Sequence, residues 1–269
     1  MFIKKILLSF MLLVYINPLH ATEIKDDNDA ILKLGMEMSN MRNMLEAYIL
    51  IGIKEDYKNP TKKLKNGITQ YEDLLLSLQS KYANNNEIQQ SIGTSHKAWE
   101  IVRKAMVLAL DKNNSLKEMK DGAIFIHGNI RTVIKEMALM KKILLDKSTI
   151  NNKDALNASI EIAASSRRLS AHYMMALWHL DDPTIKKHWE KGLKIYKDSL
   201  DILNNSSYIK NEEFLSLLSS CNKYYRYFVK MWNRPKIYSI LIDKKSNIVF
   251  NKAKKMTDII LKSSSKAKH

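Results

Sequence analysis

The sequence predicts an all-α protein of two tandem antiparallel four-helix bundles behind a signal peptide, and three observations carry that prediction. Seven Gly and four Pro in 269 residues are few, and β-branched runs of period two are absent, so helix is the default. Seven clusters of turn and capping residues cut the chain into eight segments of helical length. The second and sixth segments are spaced copies of each other at an offset of 125 residues.

The elements are taken in order from the N-terminus. Lys4 and Lys5 precede an apolar run of 11 residues from Ile6 to Ile16, then Asn17-Pro18 and Leu19-His20-Ala21. That order is the positive, apolar and cleavage regions of a secretory signal peptide over residues 1–21. The run falls short of the ~20 residues a spanning helix needs. Cleavage after Ala21 leaves 248 residues, enough for two domains. No later stretch is long or apolar enough to span a bilayer, so a soluble, periplasmic mature chain without an integral membrane segment is expected.

The breaks fall at Asn59-Pro60, Asn84 to Asn86, Asn113-Asn114, Asn151-Asn152, Asp182-Pro183, Asn204 to Ser207 and Asn233-Arg234-Pro235. Pro60 and Pro183 suit first helical positions, and Ser115-x-x-Glu118 has the pattern of a capping box. In the second helix Leu64, Ile68, Tyr71, Leu75 and Leu78 form an apolar stripe. Trp189, Leu193, Tyr196, Leu200 and Leu203 repeat its spacing in the sixth. Any two amphipathic helices share a stripe, but Gly67 with Gly192 and Asp73 with Asp198 match as well. The register extends to Trp99 with Tyr225, Asn129 with Asn251 and Glu136 with Asp258. A repeat of this length is one bundle and not a solenoid unit. Residues 27–148 and 153–263 are expected to be duplicated domains, followed by a basic tail at 264–269.

The formal charge is +16, or +14 once Lys4 and Lys5 leave with the signal. Lys-rich solvated helix faces account for most such charge, and an exported chain is not expected to meet nucleic acid. Small anions, envelope lipids or an acidic protein remain open as partners. Cys221 is the single cysteine, which excludes an intramolecular disulfide framework, and no cysteine near the cleavage region can carry a lipid.

Chemistry concentrates in the fifth helix. Leu156, Ile160, Ala163, Met174 and Leu177 occupy one narrow sector, and Arg167 and Ser170 fall in the same sector. A guanidinium on an apolar seam is costly unless it meets an anion, a carboxylate or water. Two outcomes stay open. Arg167 snorkels or pairs with a carboxylate such as Glu161 or Asp198, or it contacts an anionic ligand at a bundle or dimer seam. Arg168 points elsewhere on the helix and is expected to be solvated.

Ala163-Ala164-Ser165-Ser166-Arg167-Arg168-Leu169-Ser170 resembles a degenerate copy of Ala-Gly-Arg-Gln-Arg-Met-Leu-Ser. That is the first-helix motif of the N-terminal (PilJ-type) sensory domain of type IV pilus methyl-accepting chemotaxis transducers. The family is related to the periplasmic domain of nitrate/nitrite sensor kinases. In the first half Leu34-Gly35-Met36-Glu37-Met38, with Ala47-Tyr48-Ile49-Leu50-Ile51-Gly52 at the family's distance, is similar. Tyr71-x-x-x-Leu75-x-x-Leu78 and its Tyr196 copy resemble the family's second helix. The resemblance covers most of the mature chain as two copies, on short motifs. It implies a helical ligand sensor whose motif Arg contacts a small anion, often across a symmetric homodimer. Only Arg167 occupies that position, because the matching residue of the first half is Met38. Arg42, one turn later, borders the same face and is the substitute candidate. The ligand-binding candidates are therefore Arg167, Ser170 and Arg42. With no kinase, methyl-accepting region or second span after the second bundle, a sensor of this kind is expected to pass its state to a membrane receptor or sensor kinase.

Other sites are weaker. Met36, Met38, Met41 and Met44 have the soft thioethers that favour Cu(I), but Met38 and Met41 take ordinary core positions and flexible thioethers commonly fill cores. His172, His179 and His188 lack the Glu-x-x-His pattern of bundle metal sites and are expected to be surface or half-buried residues. No metal, haem or other cofactor is expected. There is no phosphate loop, His-Glu-x-x-His or nucleophile elbow, and Cys221 has no local base, so catalysis is not expected. The alternative function is a ligand-free interaction or scaffold protein of the envelope.

Overall fold

The computed structural model describes residues 23–111, 114–234 and 238–266. These contain eight α-helices, one 3-10 turn and no strand. The helices are α1 Asp27–Gly52, α2 Pro60–Lys81, α3 Asn86–Leu108, α4 Leu116–Lys147, α5 Lys153–Leu177, α6 Thr184–Asn204, α7 Glu212–Met231 and α8 Ser239–Lys266. The protein is all-α, as its composition predicts. Residues 1–21, assigned to the signal peptide, lie outside the described residues, as do Asn113, Pro235 and the end of the basic tail from Ala267. No helix among the described residues is long and apolar enough to cross a membrane.

The helices begin where the sequence places side chains able to satisfy their free N–H groups. Asn59, Asn85, Asn152 and Asn211 each accept from a backbone N–H of the first turn that follows, at 2.9–3.2 Å. Asn59 takes a left-handed conformation, φ 50°, which Asn tolerates better than most residues. Ser115 and Glu118 form the expected capping box, with Glu118 accepting from the Ser115 N–H at 2.7 Å. One start differs. Pro183 stands just before α6 and offers no capping side chain, so Asp182 accepts from the Thr184 N–H at 2.8 Å instead. The break after Asn204 contains the 3-10 turn Ser207–Lys210.

Helices α1 to α4 pack among themselves, α5 to α8 do the same, and the two groups meet along α1 and α5. The two first helices are consequently buried over most of their circumference, with a partly exposed stripe left at Asn40 and Asn43 on α1 and at Asn157, Glu161 and Arg168 on α5, where an ordinary amphipathic helix keeps a solvated face. Even Glu37, Ser39 and Glu46 of α1, and Ser159, Ser165 and Ser166 of α5, are no more than 1% exposed. The seam is close. A Cβ on Gly35 would stand 2.6 Å from Ile160 Cγ2, so only glycine fits there without movement.

Matched positions of the second and sixth helices make matched contacts. Every residue of the two stripes is buried except Leu193, which is partly so. Tyr71 hydrogen-bonds Ser95 at 2.8 Å and packs at a tilt against Trp99 with ring centroids 4.5 Å apart. Tyr196 donates to the Cys221 carbonyl at 3.0 Å and packs at a tilt against Tyr225, ring centroids 5.5 Å apart. Cys221 is buried, and desolvation pushes its thiol up to about 12, so it stays protonated and unreactive. Asp73 and Asp198 diverge: the first is buried and the second solvated.

Candidate functional site

Successive residues of an α-helix are rotated by about 100°, and on α5 this sends Arg167 and Arg168 to opposite sides of the seam. Arg167, 5% exposed, meets α8. Its Nη2 donates to Asn247 Oδ1 at 2.6 Å, its Nη1 lies 3.6 Å from Asp243 Oδ1, and its guanidinium covers Phe250 at 5.2 Å. Asn247 is held for this by donating to both the carbonyl and the carboxylate of Asp243. Lys63 of α2 completes the cluster, 3.3 Å from Asp243 and 3.6 Å from Glu46 of α1. The carboxylate partner of Arg167 is thus Asp243, with Glu46 nearby, and not Glu161 or Asp198.

Two acids and two cations inside a helix junction neutralise each other unevenly. Burial pushes Glu46 up to about 7, against the opposing charge of Lys63 and with the help of neighbouring Asp243. Burial also acts to raise Asp243, but the Glu46 carboxyl and the charges of Lys63, Arg167 and Lys58 outweigh it and hold Asp243 below its usual range. Asp243 therefore ionises first, and Glu46 keeps its proton until the pH approaches about 7. Ser170, one turn along from Arg167, is fully buried, and its hydroxyl has no hydrogen-bond partner. Arg167 also borders a polar cavity of about 280 Å³, together with Ser39, Asn40, Asn43, Gln70 and Lys254. Asn40 and Gln70 both donate to buried Glu37, whose carboxyl desolvation pushes up to about 8.

The other side of the seam is open. A cavity of about 500 Å³ lies among α1, α4, α5 and α6, floored by apolar residues such as Met38, Leu45, Ile130 and Ile134. Arg42, Arg131, Lys135, Arg168 and Lys191 line it, with Glu161 as its acidic residue. Glu161 lies 3.6 Å from Lys141, which leaves little negative charge for the five cations. Arg42, 7% exposed, donates through Nη1 to the carbonyls of Met38 and Ala164 at 3.2 and 3.4 Å. Burial, and then the charge of Arg168, lower the Arg42 pKa well below its ordinary value, against the pull of Glu161. Arg168 was expected in solvent, yet its Nη1 is buried without a hydrogen-bond partner, and its pKa is lowered chiefly by burial. A helix clamped between two groups offers it only a partly exposed stripe along the cavity.

Three histidines form one wall of this cavity: His127 of α4, His172 of α5 and His188 of α6. His127 and His172 are buried and His188 half-buried, so the expectation of surface or half-buried residues holds for His179 and His188 and fails for His172. Of the three ligand candidates, the structure places Arg42 at the large cavity and Arg167 and Ser170 away from it. The sequence reading placed Arg168 in solvent and did not single out His127. His127 is isolated in its own helix, and no local spacing points to it. Comparison with known protein families, characterised proteins and solved structures finds no match to this chain.

Proposed function

We propose that this protein is a ligand-binding module built from two tandem, duplicated four-helix bundles, and that it takes a small organic anion in the cavity beside their shared seam. The duplication is supported by the matched Tyr71 and Tyr196 contacts and by the way each first helix centres its own group of four. The observation that carries the ligand is the Arg168 guanidinium, whose buried Nη1 has no hydrogen-bond partner, facing the same cavity as buried Arg42. A buried unpaired donor on a charged group costs several kcal/mol unless an acceptor arrives. An apolar floor under cationic walls suits a carboxylate or sulfonate carrying a hydrocarbon body.

The sensory role and the resemblance to the PilJ-type family belong to the same proposal, with the anion contact moved from the motif residue Arg167 to Arg42 and Arg168. Export rests on the charge and apolar pattern of residues 1–21, and hand-over to a membrane partner follows from the family likeness. Calorimetric titration with aliphatic and aromatic mono- and dicarboxylates, sulfonates and nitrate tests the anion site. An organic anion is expected to bind, with affinity falling at least ~10-fold in Arg42→Gln and in Arg168→Gln. Absence of binding by every anion, together with salt-sensitive capture of an acidic envelope partner, would favour the scaffold alternative.

A further inference from the structure

We propose that His127, His172 and His188 form a three-imidazole site for a divalent transition ion, zinc foremost, with an open coordination position facing the cavity. This goes beyond anion binding and does not depend on it. One ring nitrogen from each histidine lies within 4.8 Å of the other two. His127 Nε2 and His172 Nε2 are 3.2 Å apart, and two nitrogens bound tetrahedrally to one zinc at 2.0–2.1 Å stand about 3.3 Å apart. Three neutral imidazoles with a fourth position left open is the ligand set of a zinc ion that also binds water or an anion.

The outer partners of the rings point the same way. His172 Nδ1 sits 2.6 Å from the Arg168 carbonyl, which can only accept, so the His172 proton is on Nδ1. His127 Nδ1 sits 2.8 Å from Asp182 Oδ2. Asp182 is in turn held by Thr184, which donates to it through both its N–H and its hydroxyl, and its carboxyl stays below its usual value despite burial. An ionised carboxylate there places the His127 proton on Nδ1 as well. Two Nε2 lone pairs then face each other at a distance that is repulsive unless a cation lies between them. A carboxylate or carbonyl on the far nitrogen is the arrangement that orients metal-bound histidine.

His188 supplies the third nitrogen. Its Nδ1 is buried without a hydrogen-bond partner, while its Nε2 accepts from Arg131 at 2.9 Å. Burial first, and then neighbouring cations and rings, hold His172 and His188 well below the usual imidazole value, His188 at about 4. They are neutral and ready to coordinate near neutral pH. The cations lining the cavity oppose a dication, so the fourth position is expected to be filled by an anion and not by neutral water. Metal capture would also release Arg131 from His188 toward that anion.

The experiment uses the untagged full chain, stripped with a chelator and titrated calorimetrically with zinc, then with cobalt to record visible ligand-field bands. One ion per chain is expected, with a tetrahedral cobalt spectrum. His172→Ala and His127→Ala should each abolish the site, and Asp182→Asn should weaken it by about 10- to 100-fold with the helical circular dichroism unchanged. His96→Ala, at an exposed residue of α3, should leave it intact. A wild-type chain that binds no stoichiometric ion overturns the proposal, as does binding unaltered in folded His172→Ala and His127→Ala. A proton shared between His127 and His172 predicts the first of these results. Anion titration in excess chelator keeps the two proposals separable.

Discussion

Arg167 and Arg168 stand one residue apart on α5, and the helix delivers them to opposite sides of the α1–α5 seam. On one side Arg167 finds Asp243 and Asn247 waiting on α8, with Glu46 and Lys63 closing the junction. On the other, Arg168 shares a cavity with Arg42, Arg131, Lys135 and Lys191, and the acid there, Glu161, lies beside Lys141. Each guanidinium keeps a buried Nη1 without a hydrogen bond, but the first has Asn247 and the Asp243 carboxylate beside it, and the second has no paired carboxylate among the described residues. Arg167 is the more deeply buried of the two and Arg168 is partly exposed at the cavity, so depth of burial does not mark a binding residue. The useful distinction is whether the partner is already built in.

The largest effect that would break this contrast is on stability. Arg167→Met takes one cation from Asp243, leaving Lys63 as its close partner, and strips Asn247 Oδ1 of its donor, a loss of about 3 kcal/mol. Arg168→Met removes a cation from among cations and is expected to change stability by less than about 1 kcal/mol, or to increase it. Urea unfolding of the two variants measures both. Equal losses would show that Arg168 is as structurally committed as Arg167.

A smaller effect concerns pH on the closed side. Glu46 is raised from 4.5 to about 7 by burial, so the folded chain holds its proton more tightly than the unfolded one. That contribution to stability is full below about pH 4.5 and disappears as pH climbs to about 7. Glu46→Gln cannot ionise and is expected to lose less stability than the wild type between about pH 5 and 8. The difference should be on the order of 1–3 kcal/mol, at about 1.4 kcal/mol per pKa unit. Asp243 has the opposite sign: its carboxyl is held down, and its contribution fails only as pH falls through its folded value, below this window. The histidines titrate alike in both proteins, so comparing the two pH profiles isolates Glu46.

The smallest effect is at the rim of the open side. Lys191 is exposed and lines the cavity from α6. Lys191→Gln is expected to weaken anion binding by less than about threefold, because a solvated charge contributes under ~1 kcal/mol. It should also flatten the dependence of affinity on ionic strength, read by titration at two salt concentrations. A loss as large as that in Arg168→Gln would move the centre of the site outward.

Much of the fold is written in local sequence. The Asn clusters at 84–86 and 151–152, the Ser115-Glu118 pair and Pro60 act within a turn of themselves, so they are readable without tertiary knowledge. The stripes around Tyr71 and Tyr196 are readable because burial imposes the helical period on one face. The site is less legible for the same reason. Arg168 looked solvated because it lies off the stripe of α5, and that inference assumes a single buried face, which α5 does not have. Arg167 stood out correctly as needing a partner, but Asp243 is carried by the last helix, and only packing brings it there. The three histidines come from three helices, and only His172 and His188 drew attention in the sequence.

The Gly35–Ile160 contact has a consequence for how the molecule comes apart. Each first helix is the centre of its own group of four and also the wall of the other, so neither group can lose its order without stripping one side of its neighbour. Heat or urea is therefore expected to melt all eight helices in one transition, with calorimetric and van't Hoff enthalpies in agreement. A chain divided between Ile150 and Asn151 should yield fragments that regain structure only when mixed.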